Sequence, residues 1–231
     1  FLSVILIILV DILIFISMER SAFFLTMLSI IFILFFTKKY KLIRLLCFTA
    51  SVIVIVTLTI KNEALKDRMF LHPIKALTQT IEKKHVLTDV HDSLYKTSFK
   101  MFEQNKILGI GPKMYRKHSR DERYQVGSSS FNTHPHNTYI QLLAETGLIG
   151  FAIFILFVIT FLFKTFLHFK NLLLKKNHLS DFSVCIMAAI FINIWPIIPT
   201  GNFFNNWMSI VYYLPLGFYF SSLCQQEKSI Y

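Results

Sequence analysis

The sequence predicts an all-α polytopic membrane protein: about six transmembrane helices and one large, partly helical outer loop. Three observations carry this. Hydrophobic residues make up 54% of the 231, and charged residues only 16%, against about 25% charged in a soluble domain. The apolar residues come in blocks rather than stripes, and a block of roughly 17–25 residues is what crosses a bilayer. Basic residues gather in two of the short connections, which gives the blocks a consistent sidedness.

The expected spans are 2–17, 21–37, 42–60, 147–167, 181–199 and 207–223. Lys38, Lys39, Lys41 and Arg44 separate the second from the third. Lys164, Lys170, Lys175 and Lys176 separate the fourth from the fifth. The positive-inside rule puts both stretches in the cytoplasm. The turn at Arg20, the segment 61–146 and the turn at 200–206 then face outward, and the tail "QQEKSIY" faces inward. Three regions follow: 1–60 with three helices and the Arg20 turn, 61–146 as the outer loop, and 147–231 with three helices and a short tail. The chain opens inside an apolar run without Met, so it reads as the C-terminal part of a longer protein. Its first segment is too long for a signal peptide and lacks the basic start and cleavage site. Cys47 and Cys185 fall in predicted spans and Cys224 at the end of the last, where they read as small packing residues and imply no disulfide framework.

The outer loop holds fourteen of the 24 Lys and Arg against nine acids, a net charge of +5. Long loops are exempt from the positive-inside rule. Such a loop suits an anionic ligand, although a solvated surface or attraction to lipid headgroups would look the same. Within it, 92–105 reads as an amphipathic helix. Asp92 would be the N-cap, and Tyr95, Phe99 and Phe102 would form the apolar face beside Leu94 and Met101. "ILGIGP" (107–112) ends it with two glycines and a proline.

The polar knot "THPHN" (133–137) stands directly before the fourth span. Pro135 suits a first helical turn, and Thr133 or Asn137 could cap. On a continuous helix Gly147 would return beneath His136 about three turns on, leaving a small-residue groove for another helix or a lipid chain. His136 could be a general base, its ordinary pKa being near neutral, or simply a polar anchor at the helix end. His134 and His136 form an H-x-H pair, which raises a metal reading. No third ligand stands at a telling spacing, since His72, His85, His91 and His118 are scattered. Asp11 lies inside the first span, where an acid is a functional suspect by default, although an N-terminal half of a longer protein could supply it with a basic partner and a structural role. Pro196 and Pro199 in "WPIIPTGNFFNNW" suggest a kink and turn near the outer surface. The asparagines there could touch sugar or be a wet interfacial turn, and Trp195 and Trp207 fit an aromatic belt.

"HNTYIQLLAETGLIG" resembles the hallmark of the O-antigen ligase / O-antigen polymerase superfamily: His-Asn, nine residues, then Gly, here His136-Asn137, 138–146 and Gly147. "SMERSAFFL" (17–25) is similar to the family's short outer turn with an arginine at the start of a span. "KMFEQNKILGIGPKMYR" (100–116) is similar to its loop helix followed by Gly-x-Gly. The three occur in the family's order, and the resemblance covers the chain as the C-terminal half of a member. It implies a fold similar to the helical membrane glycosyltransferases, in the bacterial inner membrane with the active site on the periplasmic face. The implied activity moves a glycan from an undecaprenyl-diphosphate carrier to an acceptor hydroxyl, on lipid A–core or on another lipid-linked glycan. It implies no cofactor, no metal and no nucleic-acid partner; membrane lipids surround the protein. By this resemblance His136 is the catalytic base and Arg20 holds the diphosphate, with Asn137, Gly147, Glu145 and Glu19 in support. A second family arginine, looked for near the start of the 92–105 helix, is replaced by His91 and Lys96. Arg116 is the best substitute, with Lys113, Arg120 and Arg123 as neighbours. Two other classes compete. A lipid-linked glycan transporter or flippase would want charges inside several spans, and an envelope assembly protein without activity would need no histidine and arginine on one face.

Overall fold

The computed structural model describes residues 2–75, 78, 89–127, 130–176 and 179–228. His85 and the end of the C-terminal tail lie outside them, as does much of 76–88. The described chain is helical, with no strand among the described residues. Its helices are α1 (Leu2–Ile16), α2 (Arg20–Phe36), α3 (Lys41–Lys61), α4 (Glu63–Lys66), α5 (Asp89–Gln104), α6 (Tyr115–His118), α7 (Thr138–Leu173), α8 (Asp181–Asn193) and α9 (Asn206–Lys228). One π-helical turn, Asp67–Leu71, follows α4. Two of the helices, α3 and α7, are long and apolar enough to cross a membrane, and Ile5–Ile16, Arg20–Phe36 and Asp181–Asn193 are shorter apolar helices.

The chain forms two compact units. The first contains Phe1–Ala76, Phe166–Asn193 and Pro215–Tyr231. In it α1 packs on α2 and α3, and α2 packs on α8. The helices are inside-out relative to a soluble protein. Helix α3 buries Cys47, Ser51 and Ile55, while Leu46, Ile53 and Ile60 are exposed. Small or polar groups face the neighbouring helix and large aliphatics face outward, the pattern expected where lipid is the solvent.

At one end of this unit Phe15, Ile55, Leu65 and Met69 form a core, with Met18, Phe23 and Leu58 packed against it. Asn62 caps α4 there, its Oδ1 accepting from the backbone N–H of Ala64 and Leu65 at 3.0 and 3.2 Å. At the end that carries Lys38 and Lys39, the Asp181 carboxylate accepts both of their backbone N–H groups at 3.2 and 3.1 Å. It also meets Arg44 at 3.3 Å, and Arg44 bonds Thr37 Oγ1 as well. His168 is locked beside them, Nε2 on the Phe36 carbonyl at 2.9 Å and Nδ1 accepting from the Leu179 N–H at 3.3 Å. These bonds join the connection between α2 and α3 to the end of α7 and the start of α8.

The second unit contains Leu77–Thr165 and Ile194–Leu214. Its core is Met101, Tyr115, Tyr124 and Ala144, with Ile110 against it. Helix α5 begins three residues before the expected Asp92, which pairs with Lys96 at 2.6 Å. Its buried residues are Leu94, Thr97, Ser98 and Met101, while Phe99 is exposed. The expected apolar face was therefore rotated. Ser98 returns its hydroxyl proton to the Leu94 carbonyl at 2.8 Å, so a small polar side chain can line a tight contact without an unmet hydrogen bond.

Several span boundaries also differ from expectation: α7 and α9 run six and five residues past the expected ends, to Leu173 and Lys228. Helix α8 stops at Asn193, six residues before the expected end, because Pro196 and Pro199 cannot continue it. Helix α7 begins at Thr138, nine residues before the expected span, but breaks at Gly147 (φ 63°, ψ −164°). An arm, 138–146, precedes the break, and the long apolar run follows it.

Candidate functional site

The site is built where three segments of the second unit meet the arm of α7. The first is the loop after α5. Its Gly109 (φ 69°) lies so close to the arm that an added Cβ would collide with the Glu145 carbonyl, and a Cβ on Gly147 would collide with that of Ile107. Backbone bonds occupy the contact: Ile110 N–H to Ala144 O at 3.0 Å, Gly111 N–H to Glu145 O at 2.9 Å and Leu148 N–H to Lys106 O at 2.8 Å. Gly147 thus serves a crossing of the chain with its own loop. No continuous helix places it beneath His136. That expected geometry fails because His136 (φ 58°) precedes the helix and Gly147 interrupts it.

The second segment is the turn Lys113–Arg120. Glu145, fully buried, accepts the Tyr115 N–H at 2.7 Å and the Gln141 Nε2–H at 2.9 Å. Glu145 therefore fastens a loop to the arm. Gln141 is equally buried, and its Oε1 accepts the Phe203 N–H at 3.0 Å while its Nε2 donates to Asn202 Oδ1 at 2.8 Å. This glutamine ties in the third segment, 194–206, which sequence reasoning had not linked to the arm. The same segment supplies carbonyls to Asn137 Nδ2 (Pro196 O, 2.8 Å), to the Tyr139 hydroxyl (Ile194 O, 2.6 Å) and to the His134 ring (Thr200 O, 3.2 Å).

Asn137 is the N-cap of the arm, its Oδ1 accepting from Tyr139 and Ile140 N–H at 3.0 and 3.2 Å. The capping oxygen fixes the amide orientation, so Nδ2 is free for Pro196. His136 is held just before it by its carbonyl, which accepts the Thr200 N–H at 2.8 Å, and by Asn132 Nδ2, 3.1 Å from its Nε2. Asn132 Oδ1 accepts the Thr133 N–H at 2.6 Å. A backbone N–H can only donate, so Asn132 presents its NH2 to His136, and the neutral imidazole must carry its own hydrogen on Nδ1 with a lone pair on Nε2. The His134 ring lies 4.2 Å and the His91 ring 6.3 Å from it, centroid to centroid. Burial, reinforced by these two imidazoles, pushes His136 below its ordinary pKa. Burial lowers His91 and His134 as well. His136 is therefore a neutral imidazole at pH 7 with one available lone pair. Asn132 was missed from the sequence, where it sits in a loop with no periodic signal.

Lys113, Arg116, Lys117 and Arg120 line a shallow depression of about 400 Å³. Arg120 also covers the Phe131 ring at 4.8 Å, and Ser119 Oγ donates to the Asn132 carbonyl at 3.0 Å. The basic turn is thus stapled to the loop that orients His136. Of the expected neighbours, Arg123 is consumed by Asp121 at 2.6 Å, which holds that carboxyl at about 2. Near the start of α5, His91 faces His136, whereas Lys96 is paired with Asp92.

Arg20 and Glu19 belong to the first unit, at the start of α2. Both are exposed, and among the described residues no ion pair joins them. Asp11, in the same unit, is 1% exposed, and neither carboxyl oxygen has a hydrogen-bond partner among the described residues. With Ser51, Arg44 and Cys47 it lines an otherwise apolar cavity of about 450 Å³. No group of three or more His, Cys, Asp or Glu able to hold a metal occurs among the described residues.

A family model described as Wzy_C, O-antigen ligase, matches residues 2–155. No curated protein and no solved structure matches the chain. The match covers the arginine turn, the segment 61–146 and the whole arm that follows His136, so the chain belongs to the O-antigen ligase family of membrane proteins and serves surface-polysaccharide biosynthesis.

Proposed function

We propose that this O-antigen ligase family member is a membrane glycosyltransferase that moves a glycan from an undecaprenyl-diphosphate carrier to an acceptor hydroxyl. Six spans hold it in the bacterial inner membrane, with 61–146 as the periplasmic loop and the reaction on the periplasmic face. The observation that carries the reading is a neutral His136, Nε2 lone pair outward to an amide, on a loop stapled to a turn of cations.

The chemistry follows from that geometry. The acceptor hydroxyl takes the place of the Asn132 NH2 at Nε2 and gives its proton to His136. The oxygen attacks the anomeric carbon, and the bond from that carbon to the diphosphate breaks. The carrier leaves as a lipid diphosphate. Arg116 and its neighbours in the basic turn take up the charge that develops on it. Arg20 is a second diphosphate ligand, proposed from its match to the family's arginine turn. Asn137, Glu145 and Gly147 support the base by fixing the arm and its loop, and Glu19 orients Arg20. The acceptor is lipid A–core in a ligase and a second lipid-linked glycan in a polymerase. One observation favours transport instead: Asp11, a buried acid with only Ser51 beside it in a largely apolar cavity, is what a translocation path uses.

Genetic complementation separates these readings. The full-length protein is expressed in a strain lacking its own ligase or polymerase, and surface glycan is resolved by gel. His136→Ala and Arg20→Ala are expected to abolish polymer transfer while the protein remains in the membrane. Full activity in both would sink the mechanism. Loss restricted to Asp11→Asn would favour transport. Uncapped lipid A–core marks a ligase, and single repeat units on the core mark a polymerase.

A further inference from the structure

The loop between α5 and α6 carries two large apolar side chains at its tip, Ile107 and Leu108, 65% and 71% exposed. We propose that this tip is seated in the outer leaflet of the bilayer, among lipid acyl chains, and that it sets the height of the base above the membrane. The seat rests on the membrane placement proposed above, with α7 as a span.

The length of the span decides where its first turn lies. After the break at Gly147 and before Lys164, α7 runs without charge over 148–163. At 1.5 Å per residue this stretch rises about 24 Å, whereas the hydrocarbon core is about 30 Å thick. The run has no turn to spare, so Leu148 and Ile149 belong to the hydrocarbon edge and not to water. Both are exposed, and Ile153 and Leu156 follow Ile149 on the same side of the helix at helical spacing.

The loop is bonded to that first turn. A helix leaves its first N–H groups without partners inside itself, and in lipid no water replaces them. Here the Lys106 carbonyl accepts the Leu148 N–H at 2.8 Å, and the Ile107 carbonyl accepts the Ile149 N–H at 3.3 Å. The tip is therefore level with the start of the span. Its shape is fixed: the Asn105 carbonyl accepts the Gly109 N–H at 2.9 Å, and Asn105 Nδ2 donates to the Met101 carbonyl at 3.2 Å. Ile107 and Leu108 thus extend the apolar surface of the span, and the acyl chains that cover the one cover the other. Lys106, exposed beside the tip, has a stem long enough to bring its ammonium back to the headgroup phosphates.

The arm follows the loop. The N–H groups of Ile110 and Gly111 hold the Ala144 and Glu145 carbonyls, so tip and arm form one piece. Asn137 caps that arm directly after His136. A tip seated in lipid therefore holds His136 at a fixed depth relative to the layer in which a lipid-linked donor arrives.

The test is site-directed spin labelling of the full-length protein in lipid nanodiscs, in a background whose native cysteines are replaced by alanine. Labels are placed through Ile107→Cys and Leu108→Cys. Ile153→Cys is the acyl-chain reference, and Glu122→Cys, exposed in 61–146, is the aqueous one. Power saturation reads collisions with oxygen, which concentrates in lipid, and with a neutral nickel chelate, which stays in water. At 107 and 108 the oxygen-to-nickel ratio is expected to be close to that at Ile153 and about tenfold above that at Glu122. A nickel-dominated signal at both tip positions would overturn the seat by leaving the tip in water. Few collisions with either reagent would overturn it too, because protein and not lipid would then cover the tip. Nickel contact at Ile153 as well would sink the span and the seat together. No glycan enters the measurement, and His136→Ala should leave both tip signals unchanged, so failure of the base and failure of the seat are read separately.

Discussion

Two clusters of cations in this molecule are built in opposite ways. At the Asp181 end of the first unit, Arg44 and the Lys38 and Lys39 backbone are collected by one carboxylate, and His168 has both ring nitrogens engaged. In the second unit, Lys113, Arg116, Lys117 and Arg120 share a depression with no acid in its lining, and His136 keeps one ring nitrogen on a displaceable amide. Similar residues thus serve different ends. A cation matched to a carboxylate closes a fold. Cations set side by side repel one another, destabilise their turn modestly, and are retained where an anion is to arrive.

The sharpest way to break this comparison is to exchange the histidines. His136→Ala should lower the transfer rate by about 10²–10⁴ with an unchanged melting temperature. His168→Ala should leave the rate per folded molecule intact and cost about 1–3 kcal/mol, by stranding a buried carbonyl and N–H. A thermal melt beside a single-turnover assay separates them. Next in size is Gly147→Ala. It forces a Cβ against the Ile107 carbonyl at positive φ, and should destabilise the second unit by about 3 kcal/mol, read as loss of protease resistance. Then come the unpaired cations. Arg116→Gln should raise the apparent KM for the lipid-linked donor about tenfold, with a smaller change for Arg120→Gln because it also serves Phe131.

The pH dependence is smaller and has a definite sign. His136 has its pKa lowered on folding, so the neutral form is favoured in the native state. Transfer should be full at pH 7, and should fall only as pH drops below the ordinary histidine value of about 6.5 toward the lower folded one. The stability of the 132–137 loop should fall in the same window, and hydrogen exchange at Asn137 would follow it. The smallest effect belongs to the matched charges. Arg44→Gln should cost at most about 1 kcal/mol, since both partners are partly exposed. Arg123→Ala, on the open surface, should leave the melt and the rate unchanged.

Much of the helical architecture was readable because it depends on local composition. Helices α1 to α3 coincide with their apolar runs to within a few residues, since nothing distant decides where an apolar run becomes helical. The end of α8 was misjudged because apolar side chains continue past the prolines that stop it. The face of α5 was misjudged for the complementary reason. Phe99 and Phe102 look like core, but close approach to Tyr115 and Ala144 selects small Thr97 and Ser98. The histidine motif was visible as a spacing, yet its meaning was not. The nine residues between Asn137 and Gly147 measure the arm from its cap to a chain crossing. Gln141 and Thr200 were invisible because their partners lie 61 to 66 positions away in sequence, and Asn132 because its loop carries no periodic signal, although its partner His136 is four residues on.

The crossing at Gly109 and Gly147 has a practical corollary for redesign. Its own hydrogen bonds join backbone groups, with Glu145 and Ile110 anchoring the loop beside it, so it takes no notice of the exposed side chains that flank Gly109. Ile107 and Leu108, both exposed beside Gly109, can be varied without moving the crossing or the arm that carries His136. Lipid contact should therefore be separable from catalytic alignment in this loop. A library confined to these two side chains would sample new membrane contacts on an unchanged chassis.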